Sequence, residues 1–305
     1  MRRTTLGVTL SLAAALLLAG CGGSQDSSGP TAASVSAQGF PGQGASMAPV
    51  TKLLVVIGEN HSFSQMKDEM PYTFGLAESY GYATAYYALA HPSLPNYLVI
   101  AGGSTFGVVD DDDPSAHPVS GPSVFGRALA NGGTAAVFND AMTTPCQRDN
   151  DGTYAVRHNP WTYFVDEASQ CETYDLPMSA FDEAVATGRL PTAGMVVPDL
   201  VHDAHDAPLS GTDVWFHALM DKVFAGPDWA SGHLAVVLTA DEDEGSDNNR
   251  VLTVVIHPSQ SHHVVSTRLD HYSLSRLYAE VEHAAPLGQA GDATSMADAF
   301  GLPVD

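Results

Sequence analysis

Ser93 stands in the stretch His91-Pro92-Ser93-Leu94-Pro95-Asn96-Tyr97. Pro95 suits the first turn of a helix, where its missing N–H costs nothing. The apolar run Tyr97-Leu98-Val99-Ile100-Ala101 can carry that helix into a core. A hydroxyl at such a point lies among unpaired backbone N–H groups and the positive end of the helix dipole, where phosphate-like anions are readily held. A serine there can equally be a plain N-cap. The residues placed elsewhere decide between these readings. Glu59 and Asn60, Asp203 and His205, and Asp241 and Glu242 each come after an apolar run, and His271 precedes a predicted helix. An oxygen nucleophile with carboxylate and imidazole groups, and without a dedicated partner base, points to activation by a divalent metal ion.

The elements that must position these groups can be read from periodicity. Lys52–Ile57 is a continuous apolar run, the mark of a strand buried on both faces of a parallel sheet. Ala193–Pro198, Leu234–Thr239 and Val251–Ile256 have the same character, with Thr134–Phe138 and Ala83–Leu89 as further strands. Helices are predicted over Pro71–Tyr80, Ser123–Asn131, Thr212–Phe224 and Tyr272–Val281. Strands alternating with helices predict one α/β/α sandwich with a mostly parallel central sheet. Ligands bind beyond the C-terminal ends of such strands, so groups distant in sequence converge on one sheet edge. Local alternatives stay open. Asn60 or Ser62 can cap a helix, with Glu59 in a solvated turn. Asp199, His202, Asp203 and His205 compete for a ligand role in a loop that can also be an exposed polar turn. Asp110-Asp111-Asp112-Asp113 reads as a solvated acidic turn, and residues 140–191, with both loop cysteines, as an excursion from the core.

The chain has 305 residues, and acids outnumber bases 35 to 12 for a formal charge of −23. That balance excludes the basic footprint of a nucleic-acid binder and favours solubility and cation binding. Arg2 and Arg3, the apolar run Leu6–Ala19, and Leu18-Ala19-Gly20-Cys21 form a bacterial lipoprotein signal with Cys21 as the lipidated residue. Residues 1–20 are thus read as signal peptide, 21–48 as a flexible Ser/Gly-rich tether and 49–305 as the functional domain. The expected location is outside the cell, on the outer membrane face through the lipid at Cys21, or secreted. Cys146 and Cys171 remain, an even pair that suggests one disulfide in an exported protein.

No Gly-x-Ser-x-Gly elbow, His-Glu-x-x-His helix, Walker loop or dinucleotide fingerprint is present. The motifs that are present, in order, are Gly58-Glu59-Asn60-His61-Ser62-Phe63, the Ser93 stretch, and Tyr154 with His158-Asn159-Pro160-Trp161. Asp203-Ala204-His205-Asp206, Thr239-Ala240-Asp241-Glu242 and His271-Tyr272-Ser273-Leu274 come next. This pattern resembles the phosphoesterases of the alkaline-phosphatase superfamily, the group containing acid phosphatases and non-haemolytic phospholipases C. Within that group it is most similar to the small secreted acid phosphatases acting on phosphatidylinositol 3-phosphate. The resemblance spans residues 52 to 285. It implies a phosphate-ester hydrolase with Ser93 as nucleophile. It implies one metal held by Glu59, Asp241 and Glu242, and a second held by Asp203, His205 and His271. Asn96 or Asn60 would donate to a phosphoryl oxygen. One or two ions are implied, from among Zn, Ca, Mg, Mn and Fe. Three departures stand out: Glu242 follows Asp241 where the wider superfamily often has His, though the small phosphatases usually have an acid there; Ala240 replaces an expected Trp; and Asp199 stands where the small phosphatases usually have Asn.

Three functions are consistent with these residues: a phosphomonoesterase, a phosphodiesterase of phospholipase C type, and a cation- or solute-binding lipoprotein without catalysis. The short chain favours the monoesterase, and the binding protein has no use for Ser93.

Overall fold

The structure is a computed structural model that describes residues 48–304. The signal peptide, Cys21 and nearly all of the tether lie outside the described residues. In chain order the strands are β1 (Lys52–Gly58), β2 (Gly81–Ala83), β3 (Tyr86–Tyr87), β4 (Ala135–Asn139), β5 (Asp175–Pro177), β6 (Ala193–Val197), β7 (Leu234–Ala240), β8 (Thr253–Ile256), β9 (His263–Val265) and β10 (Leu269–Asp270). The α-helices are α1 (Phe63–Glu69), α2 (Pro71–Ser79), α3 (Ser93–Gly102), α4 (Val124–Ala130), α5 (Ala168–Tyr174), α6 (Ser179–Ala186), α7 (Leu209–Ala225), α8 (Pro227–Ala230), α9 (His271–Val281) and α10 (Met296–Phe300).

Eight strands form one sheet in the order β5-β4-β6-β1-β7-β8-β2-β9. From β5 to β7 every pairing is parallel, with Val55 opposite Met195 on one side and Val237 on the other. Strand β8 reverses direction and pairs antiparallel with both β7 and β2. The central strands β6 and β7 are buried along their whole length, as their unbroken apolar runs predict. Helices cover both faces. α1, α2, α6, α7 and α8 pack together as one group, and α3, α4, α9 and α10 as another. This is the expected α/β/α layering with a mostly parallel sheet. None of the described helices is long and apolar enough to cross a membrane.

Two expectations need correction. Ala83–Leu89 is not one strand. The chain breaks after Ala83 and resumes as the short β3, which pairs with β10 outside the main sheet and sets up the approach to Ser93. The excursion over residues 140–191 is not wholly separate from the core, because β5 within it forms the sheet edge against β4. Its middle is made of 3-10 turns, including Val156–His158 and Pro160–Tyr163, whose hydrogen bonds give no apolar period to read. Buried polar groups pin it down. The Asp175 carboxylate accepts from Asn139 and Asn159, and burial raises its pKa to about 7. Glu167 accepts from the Trp161 indole and from Ser123.

Cys146 and Cys171 are bonded, with Cα atoms 5.3 Å apart, as expected. The bond closes a loop with a sequence separation of 25 that carries Arg157 and His158. Closing a loop of that length stabilises by about 3 kcal/mol through the entropy of the unfolded chain. The double variant Cys146→Ser/Cys171→Ser is therefore expected to lose about 2–4 kcal/mol in urea unfolding. The wild type should lose the same amount on reduction. A midpoint unmoved in both cases would show that the buried Asp175 and Glu167 networks alone hold this loop.

Candidate active site

Three adjacent parallel strands deliver the acidic groups to one edge. Glu59 comes directly after β1, Asp203 lies in the loop after β6, and Asp241 and Glu242 come directly after β7. The loops are tied by the backbone: Glu59 N–H donates to the Asp203 carbonyl at 2.8 Å, and Asp241 N–H to the Gly58 carbonyl at 3.0 Å. Asn60 takes a positive φ of 48°, which turns the chain so that its N–H donates to Asp241 Oδ1 at 3.3 Å. Ser62, not Asn60, caps α1, in a reciprocal capping box with Gln65. Glu59 is buried rather than solvated.

Helix α3 brings the hydroxyl. Ser93 is its first residue, and the N-cap is Pro92, so Ser93 does not serve as a cap. Its Oγ instead donates to Glu59 Oε2 at 3.1 Å. One turn along the same helix face, Tyr97 OH donates to Glu59 Oε1 at 2.5 Å. α3 ends at Gly103, whose φ of 66° is left-handed, and an added Cβ there would run into the Leu287 carbonyl oxygen.

His158 completes the site. Its Nε2 lies 3.3 Å from Glu59 Oε2 and its Nδ1 3.4 Å from Asp203 Oδ2. Its ring stacks on Tyr97 with centroids 5.1 Å apart and planes at 14°. Glu59, His158 and Asp203 thus present buried ligand atoms within 4.8 Å of one another.

The electrostatics ask for a cation. Burial raises the Glu59 pKa, and the charges of Asp241 and Asp203 raise it further. Burial lifts Asp203 and Asp241 to about 7, and burial together with Asp241 lifts Glu242 to about 9. Burial also lowers His158, which favours the neutral imidazole that metals bind. Asn60 Oδ1, Asp203 Oδ2, Asp241 Oδ2 and His158 Nε2 are buried without hydrogen-bond partners. Orphaned buried acceptors of this kind are rare in proteins, and a divalent ion would satisfy them. The donor set therefore fits the metal chemistry expected from the sequence.

Several expected groups are placed differently. His271 sends Nε2 to the Asp241 carbonyl at 2.6 Å and Nδ1 to Tyr86 OH at 3.0 Å, so both ring nitrogens serve the protein. Burial holds it at about 4, hence neutral. As the first residue of α9 it ties that helix to the β7 loop through the Asp241 carbonyl. His205 sits at the rim, where its Nε2 accepts from Arg157 at 3.3 Å and its Nδ1 donates to Asp206 at 2.7 Å. Asp203, His205 and His271 are therefore not gathered into one ligand group, and Asp203 faces His158 instead. Asp199 and His202 turn away from Asp203 to join Asp140, with His202 Nδ1 at 2.7 Å from Asp140 Oδ2. Asn96 is fully engaged. Its Oδ1 accepts from Leu89 and Ala90 N–H, and its Nδ2 donates to the Ala90 carbonyl and to Glu242 Oε2. It shapes the turn before Ser93 rather than offering a free donor. Glu242 also pairs with His91 at 3.2 Å. Sequence reasoning assigns no role to His158, Tyr97 or His91, although all three lie within the motifs that carry the resemblance.

Comparison with known proteins agrees with this architecture. A protein of the alkaline phosphatase superfamily from Vibrio parahaemolyticus superposes with a TM-score of 0.55 at 11% identity, covering 80% of this chain and 68% of that one. The fold is thus alkaline-phosphatase-like. Residues 63–283 match the model of the Phosphoesterase family, and the chain belongs to that family. It is 28% identical over 259 residues to the phosphatidylinositol-3-phosphatase of Mycobacterium tuberculosis, covering 82% of each chain. It is 25% identical over 210 residues to an acid phosphatase of Aspergillus fumigatus, covering 63% of this chain but only 46% of that one.

The raised carboxylate pKa values set a sign for stability. A carboxylate whose folded pKa exceeds its unfolded value holds its proton in the native state, and that stability is lost as pH rises through the folded pKa. Chelated protein should therefore lose stability from about pH 4 to pH 7, the window between ordinary carboxylates and the shifted Asp203 and Asp241. A saturating divalent cation should raise the melting temperature by roughly 5–10 °C at pH 7.5, and by far less at pH 5. Scanning calorimetry with and without chelator measures this. A melting temperature indifferent to cation at pH 7.5 would remove these carboxylates as ligands.

Proposed function

We propose that this protein is a metal-assisted phosphomonoesterase of acid phosphatase type, with Ser93 as its nucleophile. The observation that carries the reading is Ser93 at the first turn of α3, hydrogen-bonded to Glu59 inside a buried ring of carboxylates and one neutral imidazole. Ser93 Oγ forms a bond to phosphorus as the ester P–O bond breaks and the alcohol departs with a proton from solvent; water then attacks phosphorus, the Oγ–P bond breaks, and phosphate leaves as the serine hydroxyl regains its proton. Glu59 Oε2 accepts a hydrogen bond from Ser93 Oγ at 3.1 Å and so orients the hydroxyl, whose proton leaves to solvent as the bond to phosphorus forms. Tyr97 holds that carboxylate through its other oxygen, and the neutral His158 ring lies against it at 3.3 Å. A divalent ion held by Glu59, Asp203, His158 and Asp241 would lower the pKa of the serine hydroxyl and stabilise charge on the phosphoryl oxygens. The Asp241 carboxylate is held by the N–H groups of Asn60 and Glu242, and His271 bonds its backbone carbonyl.

The similarity to the mycobacterial enzyme supports a phosphoinositide as one substrate. The Arg2–Cys21 signal and the Cys146–Cys171 disulfide support export, with the lipid at Cys21 as anchor to the membrane surface.

The test compares a chromogenic phosphomonoester with its diester counterpart, with and without chelator, for wild type and Ser93→Ala. Monoester turnover is expected, lost on chelation and reduced at least about 10³-fold in Ser93→Ala. Diester turnover alone would assign the site to phospholipase-like chemistry. Monoester turnover that survives Ser93→Ala would remove Ser93 as the nucleophile.

A further inference from the structure

The acidic run Asp110–Asp113 is not simply a solvated turn. Asp111 Oδ1 accepts the Leu94 N–H at 2.9 Å, and its Oδ2 lies 3.7 Å from Arg157 Nε. Leu94 is the residue after Ser93 in the first turn of the ten-residue α3, and Pro95 has no N–H to offer. A carboxylate therefore bridges a helix-terminal N–H and a guanidinium, one residue from the nucleophile. That pair of donors is the usual set for a phosphate oxygen pair. Arg157 extends over the same mouth, with Nη2 donating to His205 Nε2 at 3.3 Å. Its positive charge acts on Glu242, Asp203 and the buried His158. His158 Nε2, buried and without a hydrogen-bond partner, faces the Glu59 oxygen that accepts from Ser93. The loop bearing Asp111 is anchored on either side of it. Tyr163 OH donates to the Asp112 carbonyl at 3.1 Å, and Asp110 pairs with His117 at 2.5 Å.

We propose that Leu94 N–H and Arg157 form the subsite for the substrate's phosphoryl oxygens, and that Asp111 is an internal anion occupying it, which a phosphate group must displace. This rests on the phosphomonoesterase reading for its substrate, but it concerns anion binding alone. Elsewhere the pocket is lined by Glu59, Asp203, Asp241 and Glu242, whose charge a cation would have to offset before a phosphate dianion could approach. Asp111 then acts as a competitor tethered in the same chain. Apparent affinity for phosphate falls by the fraction of time the subsite is free.

The experiment measures binding of inorganic phosphate to the full chain by isothermal titration calorimetry, beside the esterase assay, with cation present. Asp111→Ala is expected to tighten phosphate binding about five- to tenfold, corresponding to a subsite free for roughly a tenth to a fifth of the time in the wild type. Asp111→Asn, which keeps the shape without the charge, should move it in the same direction. Arg157→Gln should weaken binding at least about fivefold. Asp112→Asn removes the same charge next door, where no bond reaches Leu94 or Arg157, and should change affinity less than about twofold. Unchanged affinity in both Asp111 variants, or equal tightening by Asp112→Asn, overturns the proposal, as does failure of phosphate to bind any variant. A wild type that cleaves no ester but binds phosphate more tightly without Asp111 would refute the phosphatase reading while supporting the anion subsite.

Discussion

The structure depends on holding Glu59, Asp203, Asp241 and Glu242 together and out of water. Placing several carboxylates in a low-dielectric site is costly, and each makes the next harder to ionise. No flexible loop would keep them there. The parallel ladder does so because β6, β1 and β7 are immediate neighbours in one register. Strands about 4.8 Å apart fix where the residues after them can go. The backbone bonds Glu59 to Asp203 and Asp241 to Gly58 extend that ladder one step past the strands. The cost of crowding is thus met by main-chain geometry, and the site is preorganised for positive charge before any ligand arrives.

Around this acidic centre lies a layer of neutral groups whose work is aim. Tyr97 and Ser93 lie one turn apart on α3 and both point at Glu59. Tyr86 and His271 form a relay that ends on the Asp241 carbonyl. Asn96 ties the turn before Ser93 to Glu242. None of these groups adds charge, and each removes a rotamer that the carboxylates or the serine could otherwise adopt.

Much of this is legible in the linear chain because buried parallel strands announce themselves as unbroken apolar runs. The residues just past such a run must sit at the sheet edge, so position alone points to Glu59 and the β7 loop with Asp241, and leaves Asp199, His202, Asp203 and His205 as alternatives after β6. Side-chain direction is not legible. His271 begins a helix next to the site, but whether its ring faces the pocket or the β7 loop is set by Tyr86, a partner 185 positions earlier. His158 is hidden by the 3-10 turns around it, which have no apolar period. Asp111 looks like any residue of an acidic turn, because the Leu94 N–H it meets is created only when α3 begins at Ser93. The N-cap reading of Ser93 fails for a related reason. With Pro92 in the cap position, the serine side chain is free to turn inward toward Glu59.

The pairing of β7 with β1 also bears on how the chain reaches its native state. Strand β7 is the last to enter the parallel ladder, and β1, at the other end of the folded chain, is its partner along seven register positions from Lys52–Leu234 to Gly58–Ala240. Asn60 and Asp241, which meet across that pairing, are separated by 181 positions. Contacts of such sequence separation carry the loop-closure entropy of most of the domain, and they form late and slowly. Helix pairs such as α1 with α2 can assemble early from local contacts. The acidic centre, by contrast, exists only once nearly the whole domain has been threaded. A chain arrested before residue 241 would contain much of the secondary structure and Ser93, yet have no place in which that serine differs from any other.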